Sequence, residues 1–116
     1  MKVKRIVANV KAQKVGEAKR FYENVLGLEV LMDLEWISTY GSHTESIAQI
    51  SFMQEGGSGT PVPDISIEVD DVDEAYRRMK EAKFKIEYGI ADESWGVRRF
   101  FVRDPFGTLV NILSHV

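Results

Sequence analysis

An asparagine lies in the middle of an apolar run near the end of the chain, Leu109-Val110-Asn111-Ile112-Leu113. If the run is a strand, Val110 and Ile112 share one face, and Leu109, Asn111 and Leu113 share the other. A buried amide without partners costs roughly 1–3 kcal/mol. Asn111 is therefore either a satisfied core group or part of a face that lines a cavity. The same choice recurs along the chain, where Asn9, Gln49, Ser51, Asp64 and Ser66 alternate with aliphatic residues. An inert exposed face would carry Lys, Glu and Thr, and a core face Val, Ile and Leu. Short amides, hydroxyls and one carboxylate among aliphatics fit a partly dry pocket in which a few polar groups orient a ligand. A sheet face paired internally through water is the alternative.

More chemistry follows from the strand before Asn111. If Phe100 and Val102 face the core, then Val97, Arg99 and Phe101 turn toward the pocket. Arg99 is then the group to meet an anion or a carbonyl, with an ion pair to Asp64 as the alternative. Trp95 supplies either a stacking wall or an apolar plug at the base of the hairpin. Trp36 and Tyr40 fall on a strand whose pocket side is open, and Glu68 belongs at the rim or in solvent. His43 falls in a hairpin loop and His115 at the C-terminus, both read as exposed. Neither sits in a Ser–His–Asp context. Gly56-Gly57-Ser58-Gly59 lacks the lysine and helix that a phosphate loop requires, and reads as a linker. The chain has no cysteine, which excludes disulfides, thiolate metal sites and cysteine nucleophiles.

Regular elements must hold these residues. Lys2–Val10 alternates as a strand, with Ile6, Ala8 and Val10 opposite Arg5, Val7 and Asn9. Val15–Val25 has an apolar helical stripe of Val15, Ala18, Phe21, Tyr22 and Val25, and Gly27 is placed to end it. Strands are expected over Leu28–Leu34, Glu35–Tyr40 and Ile47–Met53. After the Gly- and Pro-rich Gln54–Pro63 comes a strand over Asp64–Val69. Asp71 then caps a helix over Val72–Ala82, with Glu74 positioned for a capping box. A short strand over Phe84–Glu87 and an irregular stretch over Gly89–Gly96 lead to a closing hairpin. Its strands are Val97–Arg103 and Thr108–Ser114, joined by Asp104-Pro105-Phe106-Gly107, with Pro105 and Gly107 suited to a turn.

The order strand–helix–strand–strand–strand occurs twice. Val15-Gly16-Glu17-Ala18 aligns with Val72-Asp73-Glu74-Ala75, and Ile47-Ala48-Gln49-Ile50 with Leu109-Val110-Asn111-Ile112. One such unit cannot bury its sheet alone, so two must pair. The expectation is one domain over residues 1–116: repeat one over about 1–55, a linker over about 54–63, and repeat two over about 64–116. Its 116 residues, 44% apolar and 28% charged, are those of a globular protein. A net charge of −3 with scattered basic residues argues against a nucleic-acid surface. No apolar run is long enough for a signal peptide or a membrane span, so the expected location is cytoplasmic.

The βαβββ repeat, the FYENVLG segment (Phe21–Gly27), IEVDDVDEA (Ile67–Ala75) and FVRDPFGTLVNIL (Phe101–Leu113) resemble the vicinal oxygen chelate superfamily. That group holds lactoylglutathione lyases, fosfomycin-inactivating transferases, extradiol dioxygenases and bleomycin-binding resistance proteins. The resemblance implies an α+β fold: two βαβββ modules forming curved sheets around a concave cavity. It also implies a homodimer with cavities shared between chains. In metal-dependent members four positions supply the ligands, and carried over they hold Val7, Gln49, Asp64 and Asn111. Val7 cannot ligate, Gln49 and Asn111 are neutral amides, and only Asp64 is an anionic donor. The expectation is therefore no metal and no cofactor. The chain is closest in character to the metal-free binders, which sequester a small aromatic or heterocyclic molecule such as an antibiotic or metabolite. The expected lining is Asn9, Gln49, Asp64, Ser66, Trp95, Arg99, Phe101 and Asn111. The alternatives are a metal-dependent lyase or isomerase of the lactoylglutathione lyase type and a regulatory drug-sensing module.

Overall fold

A computed structural model describes residues 1–42 and 49–116. The fold is α+β, and its contacts divide the chain into two compact units. The first is Val7–Val62, and the second joins Met1–Ile6 to Pro63–Val116. Strand β1, Val3–Lys11, is split between them.

In the first unit β1 is followed by a helical stretch, then β2 (Glu29–Leu34), β3 (Ile37–Gly41) and β4 (Gln49–Met53), in the sheet order β2-β3-β4-β1. β4 runs parallel to β1 and antiparallel to β3. The expected beginning of β4 at Ile47, and His43 before it, lie outside the described residues. The helical stretch covers the expected residues but winds irregularly, as a 3-10 turn over Val15–Glu17 and a π-helix over Arg20–Val25. Lys14 stands at its N-cap and gives no side-chain hydrogen bond there. The wider π turn moves later residues off a 3.6-residue stripe. Val15 is buried, whereas Phe21 and Val25 of the expected stripe are 57% and 74% exposed. Gly27, at φ 72°, closes the stretch: its N–H donates to Glu23, and Leu28 N–H donates to Tyr22. Tyr22, Tyr40 and Phe52 stack on this side with Val15. Tyr40 thus belongs to the core, and Trp36 lies in the turn before β3. The apolar face of β1 is not the buried one: Ile6 is 61% exposed and Ala8 and Val10 are also exposed, whereas Val7 on the opposite face is buried.

The second unit repeats the plan with β5 (Ile65–Val69), α1 (Val72–Glu81), β6 (Ile86–Asp92), β7 (Val97–Arg103) and β8 (Leu109–His115), in the order β5-β8-β7-β6. Asp71 caps α1 by accepting the Glu74 N–H at 3.1 Å. Glu74 does not complete a capping box in the bonds described for it. Its carboxylate takes Arg77 and Arg78. Val72 and Ala75 of α1 cover Val69, Phe100, Val102, Val110 and Ile112. The expected turn forms: Asp104 accepts the N–H groups of Phe106 and Thr108, and Gly107 sits at φ 81°. Burial raises the Asp104 carboxyl, but those backbone hydrogen bonds outweigh it and hold the group below its ordinary value.

One stretch differs from expectation. The first half of Gly89–Gly96 is strand, because β6 runs on to Asp92. Two bulges, at Ile86/Tyr88 and Tyr88/Ala91, put extra β6 residues opposite β7. Ile86, Tyr88 and Ile90 alternate through Gly89, but the bulges turn Tyr88 away from the α1 side, where Ile86 and Ile90 pack.

Candidate functional site

The face of β5-β8-β7-β6 opposite α1 carries Ser66, Arg99, Phe101 and Asn111 of the expected site. Parallel pairing sets Ser66 beside Asn111, antiparallel pairing sets Asn111 beside Phe101, and Phe101 is beside Tyr88. One row across four strands therefore reads hydroxyl, amide, phenyl, phenol. Asn111 is 6% exposed. Its Nδ2 donates to Ser66 Oγ at 3.1 Å, and its buried Oδ1 has no hydrogen-bond partner among the described residues. The next row holds Leu113, Arg99 and Ala91.

Arg99 is buried, with side-chain exposures of 3% for it and 5% for its partner, Glu93. Nε and Nη2 reach Glu93 Oε2 at 2.8 and 2.7 Å. The guanidinium carbon lies 4.8, 4.9 and 5.4 Å from the ring centroids of Phe101, Trp95 and Tyr88. The Tyr88 hydroxyl donates to Glu93 at 3.2 Å. The alternative of an Arg99–Asp64 ion pair is corrected here. Arg99 pairs with Glu93, not Asp64, and Trp95 packs its ring on the chain's own arginine. Asp64 is engaged elsewhere, since its Oδ2 accepts the Leu109 N–H at 2.9 Å and so fastens the start of β8. Glu93 and Tyr88 escape the reading of the sequence because Tyr88 falls just past the expected strand Phe84–Glu87 and Glu93 within Gly89–Gly96. The signal is the alternation of Ile86, Tyr88 and Ile90, which runs on through Gly89.

Glu68 is also more engaged than a rim residue would be. Its side chain is 12% exposed, bonded to Arg5 Nε at 2.5 Å and His115 Nδ1 at 2.9 Å. His115 is 46% exposed, on the solvent side of that contact. Burial raises the Glu68 carboxyl, but hydrogen bonds from His115 and Arg5 outweigh it, leaving it below the ordinary 4.5. A carboxyl depressed by folding stabilises the protein above its unfolded value, and that contribution disappears as pH falls through the folded value. Glu68→Gln should therefore flatten the acid limb of stability below pH 4.5, measured by urea unfolding across that range.

In the first unit Asn9 lies beside Ser51 in register, and Gln49 opens β4 opposite Gly41. Thr39 Oγ1 and Ser51 Oγ are hydrogen-bonded at 2.7 Å, so this sheet too has a buried polar row away from its aromatic core. Among the described residues, two cavities lie on the helix sides. One of about 230 Å³ opens under α1 among Met79, Phe84 and Pro105, and one of about 380 Å³ lies beside Val15, Phe21 and Phe52.

The four positions that the resemblance assigns to a metal do not fit one. Val7 is a buried hydrocarbon, the Asp64 carboxylate serves Leu109, and the Asn111 amide serves Ser66. Gln49 contributes only a neutral carbonyl. Among the described residues no three His, Cys, Asp or Glu side chains are grouped to hold a metal.

Residues 6–112 match the Glyoxalase/Bleomycin resistance protein/Dioxygenase superfamily, and the chain belongs to that family. No curated protein matches it in sequence. Among solved structures it is similar to a Vibrio splendidus glyoxalase/bleomycin resistance protein/dioxygenase superfamily member. Identity is 21%, coverage is 97% of this chain and 99% of that one, and the TM-score is 0.65. It also resembles a protein described as an NAD-dependent benzaldehyde dehydrogenase from Legionella pneumophila, with 15% identity, coverage of 97% and 100%, and a TM-score of 0.76. A variant of Streptomyces coelicolor methylmalonyl-CoA epimerase in complex with 2-nitronate-propionyl-CoA matches at 14% identity. Coverage there is 99% and 96%, with a TM-score of 0.71. At these identities the likeness is one of fold. No helix among the described residues is long and apolar enough to cross a membrane.

Proposed function

We propose that this chain binds a small aromatic or heterocyclic molecule without a metal, in the manner of the family's drug-binding members. The observation that carries this reading is Asn111, a buried amide whose oxygen faces no described donor. It stands between a serine hydroxyl and the Phe101 ring. A structural role would pair both ends of the amide, since an orphan end costs roughly 1–3 kcal/mol. A ligand donor supplies the missing bond, and the neighbouring rings supply apolar contact.

Asn111→Leu should keep the fold, because an aliphatic side chain suits a strand position flanked by Leu109 and Leu113, and should abolish binding. Thermal unfolding against a panel of antibiotics and aromatic metabolites reads this directly. A ligand at about 100 times its Kd should add about 2.7 kcal/mol of stability. If Asn111→Leu unfolds the protein, the amide is structural and the reading fails.

The similarity to an epimerase favours a second reading, a metal-dependent lyase or isomerase. Stoichiometric, tightly held divalent metal in purified protein would establish it and remove the first. A homodimer, as in the family, accords with exposed Phe21, Val25 and Leu26 in the first unit, and sedimentation would test it.

A further inference from the structure

We propose that the cavity under the C-terminal end of α1 is a second binding site, which takes a neutral apolar molecule about the size of toluene. It is independent of the Asn111 site, because it opens on the other face of the sheet. Val110 and Ile112 line it, and Asn111 between them faces the opposite way.

The cavity exists because α1 covers its sheet unevenly. Near the start of the helix Val72 and Ala75 are each 3% exposed, whereas Met79 in its last turn is only half-buried. The helix stops at Glu81. Lys83 then takes φ 66°, a left-handed conformation more often left to glycine, and the Phe84 N–H returns to the Met79 carbonyl at 3.1 Å. The chain thus turns off the helix before it has covered β5. Ile65 and Ile67 stay half-buried there, and Phe84 stays 39% exposed. The space left, about 230 Å³, has the buried Val102, Val110 and Ile112 as its floor.

The lining states the ligand's chemistry. Two of its residues are charged, Arg103 and Asp104, and the chain itself engages both. Arg103 reaches Glu87 at 3.1 Å and the Gly107 carbonyl at 2.9 Å, and Asp104 accepts the N–H groups of Phe106 and Thr108. The other lining side chains are hydrocarbon, apart from the Met79 thioether. A charged ligand would lose its hydration there and find no partner. An apolar one gives up nothing, and it covers the surface that Ile65, Ile67, Met79 and Phe84 otherwise leave to water. Native interiors leave few voids larger than a water molecule. In another protein an apolar cavity of about 150 Å³ stays dry and takes up benzene, so the larger space here holds one six-membered ring with a small substituent. Met79, unbranched and adaptable, adjusts its packing to that ring.

Toluene tests this, with benzoate as its charged counterpart, on protein carrying methyl-13C methionine. The chain has four methionines, Met1, Met32, Met53 and Met79, so one spectrum reads the cavity and three positions away from it. Toluene should shift the Met79 methyl saturably through its ring current, with the other three moving far less, and benzoate should not shift it. Ile67→Phe puts a ring of its own into the space and should weaken toluene binding at least about tenfold. Ile65→Phe should do the same, and replaces Ile67→Phe if that variant fails to fold. Toluene should raise the melting temperature of the wild type and not that of the filled variant. A Met79 methyl that stays unmoved up to the solubility of toluene would overturn the assignment. Equal shifts at all four methyls, an equal response to benzoate, or a filled variant that binds as tightly as the wild type would overturn it as well.

Discussion

Arg99→Met should destabilise the protein by about 3–5 kcal/mol, because it strands the Glu93 carboxylate in a site where that side chain is 5% exposed. The loss is not the worth of the ion pair. It is chiefly the penalty for a buried charge with its counter-ion removed. The double variant Arg99→Met with Glu93→Leu should therefore recover most of the loss, although it lacks the pair altogether. Urea unfolding of wild type, both single variants and the double variant gives the coupling energy, provided the slope with denaturant stays constant. A single variant as stable as the wild type would mean that Glu93 reaches water when unpaired. The turn that carries it would then be looser than its hydrogen bonds indicate.

Phe100→Ala should cost about 3–5 kcal/mol, for a different reason. Phe100 is fully buried under α1 and meets the Tyr76 ring edge-on, with centroids 5.0 Å apart at 73°. Removing the ring forfeits its transfer from water and leaves a void that the surrounding helix and strands fill only in part. Phe106, 92% exposed at the tip of the β7–β8 turn, is the internal comparison. Phe106→Ala should change stability by no more than about 0.5 kcal/mol. The midpoint of chemical unfolding distinguishes them. Similar values would mean that the pocket under α1 collapses freely.

The contrast between the two helical segments shows what the sequence makes legible. Asp71 announces the start of α1, and α1 forms where the spacing predicts it. The segment over Val15–Val25 has an equally apolar stripe but Lys14 where a cap is needed, and it winds as 3-10 and π turns instead. Spacing alone therefore conveys its extent and not its geometry. The Asp104–Gly107 turn is readable because its residues fix it locally. β6 is only partly so: Gly89 interrupts it, and two bulges send Tyr88 to the face opposite Ile86 and Ile90, which their shared spacing does not convey. In the site, alternation places Ser66, Arg99, Phe101 and Asn111 on one face correctly. It cannot tell which acid Arg99 meets. That depends on how far a four-residue connection brings Glu93 back over the sheet, which is tertiary information.

The division of β1 bears on how the chain is made. Residues 7–62 form a continuous stretch and can close as soon as they have been synthesised. The second unit draws its first residues from the opposite end of the chain. The Lys2 amide bonds Asp70, and Arg5 bonds Glu68 across 63 positions. Those six residues must wait, unmatched, until β5 emerges, and β5 cannot be completed by β8 until Leu109–His115 have been synthesised. Such long-range closure is slow compared with local folding. A nascent chain should thus have a half-built stage in which the first unit is closed and the Arg99–Glu93 ion pair does not yet exist.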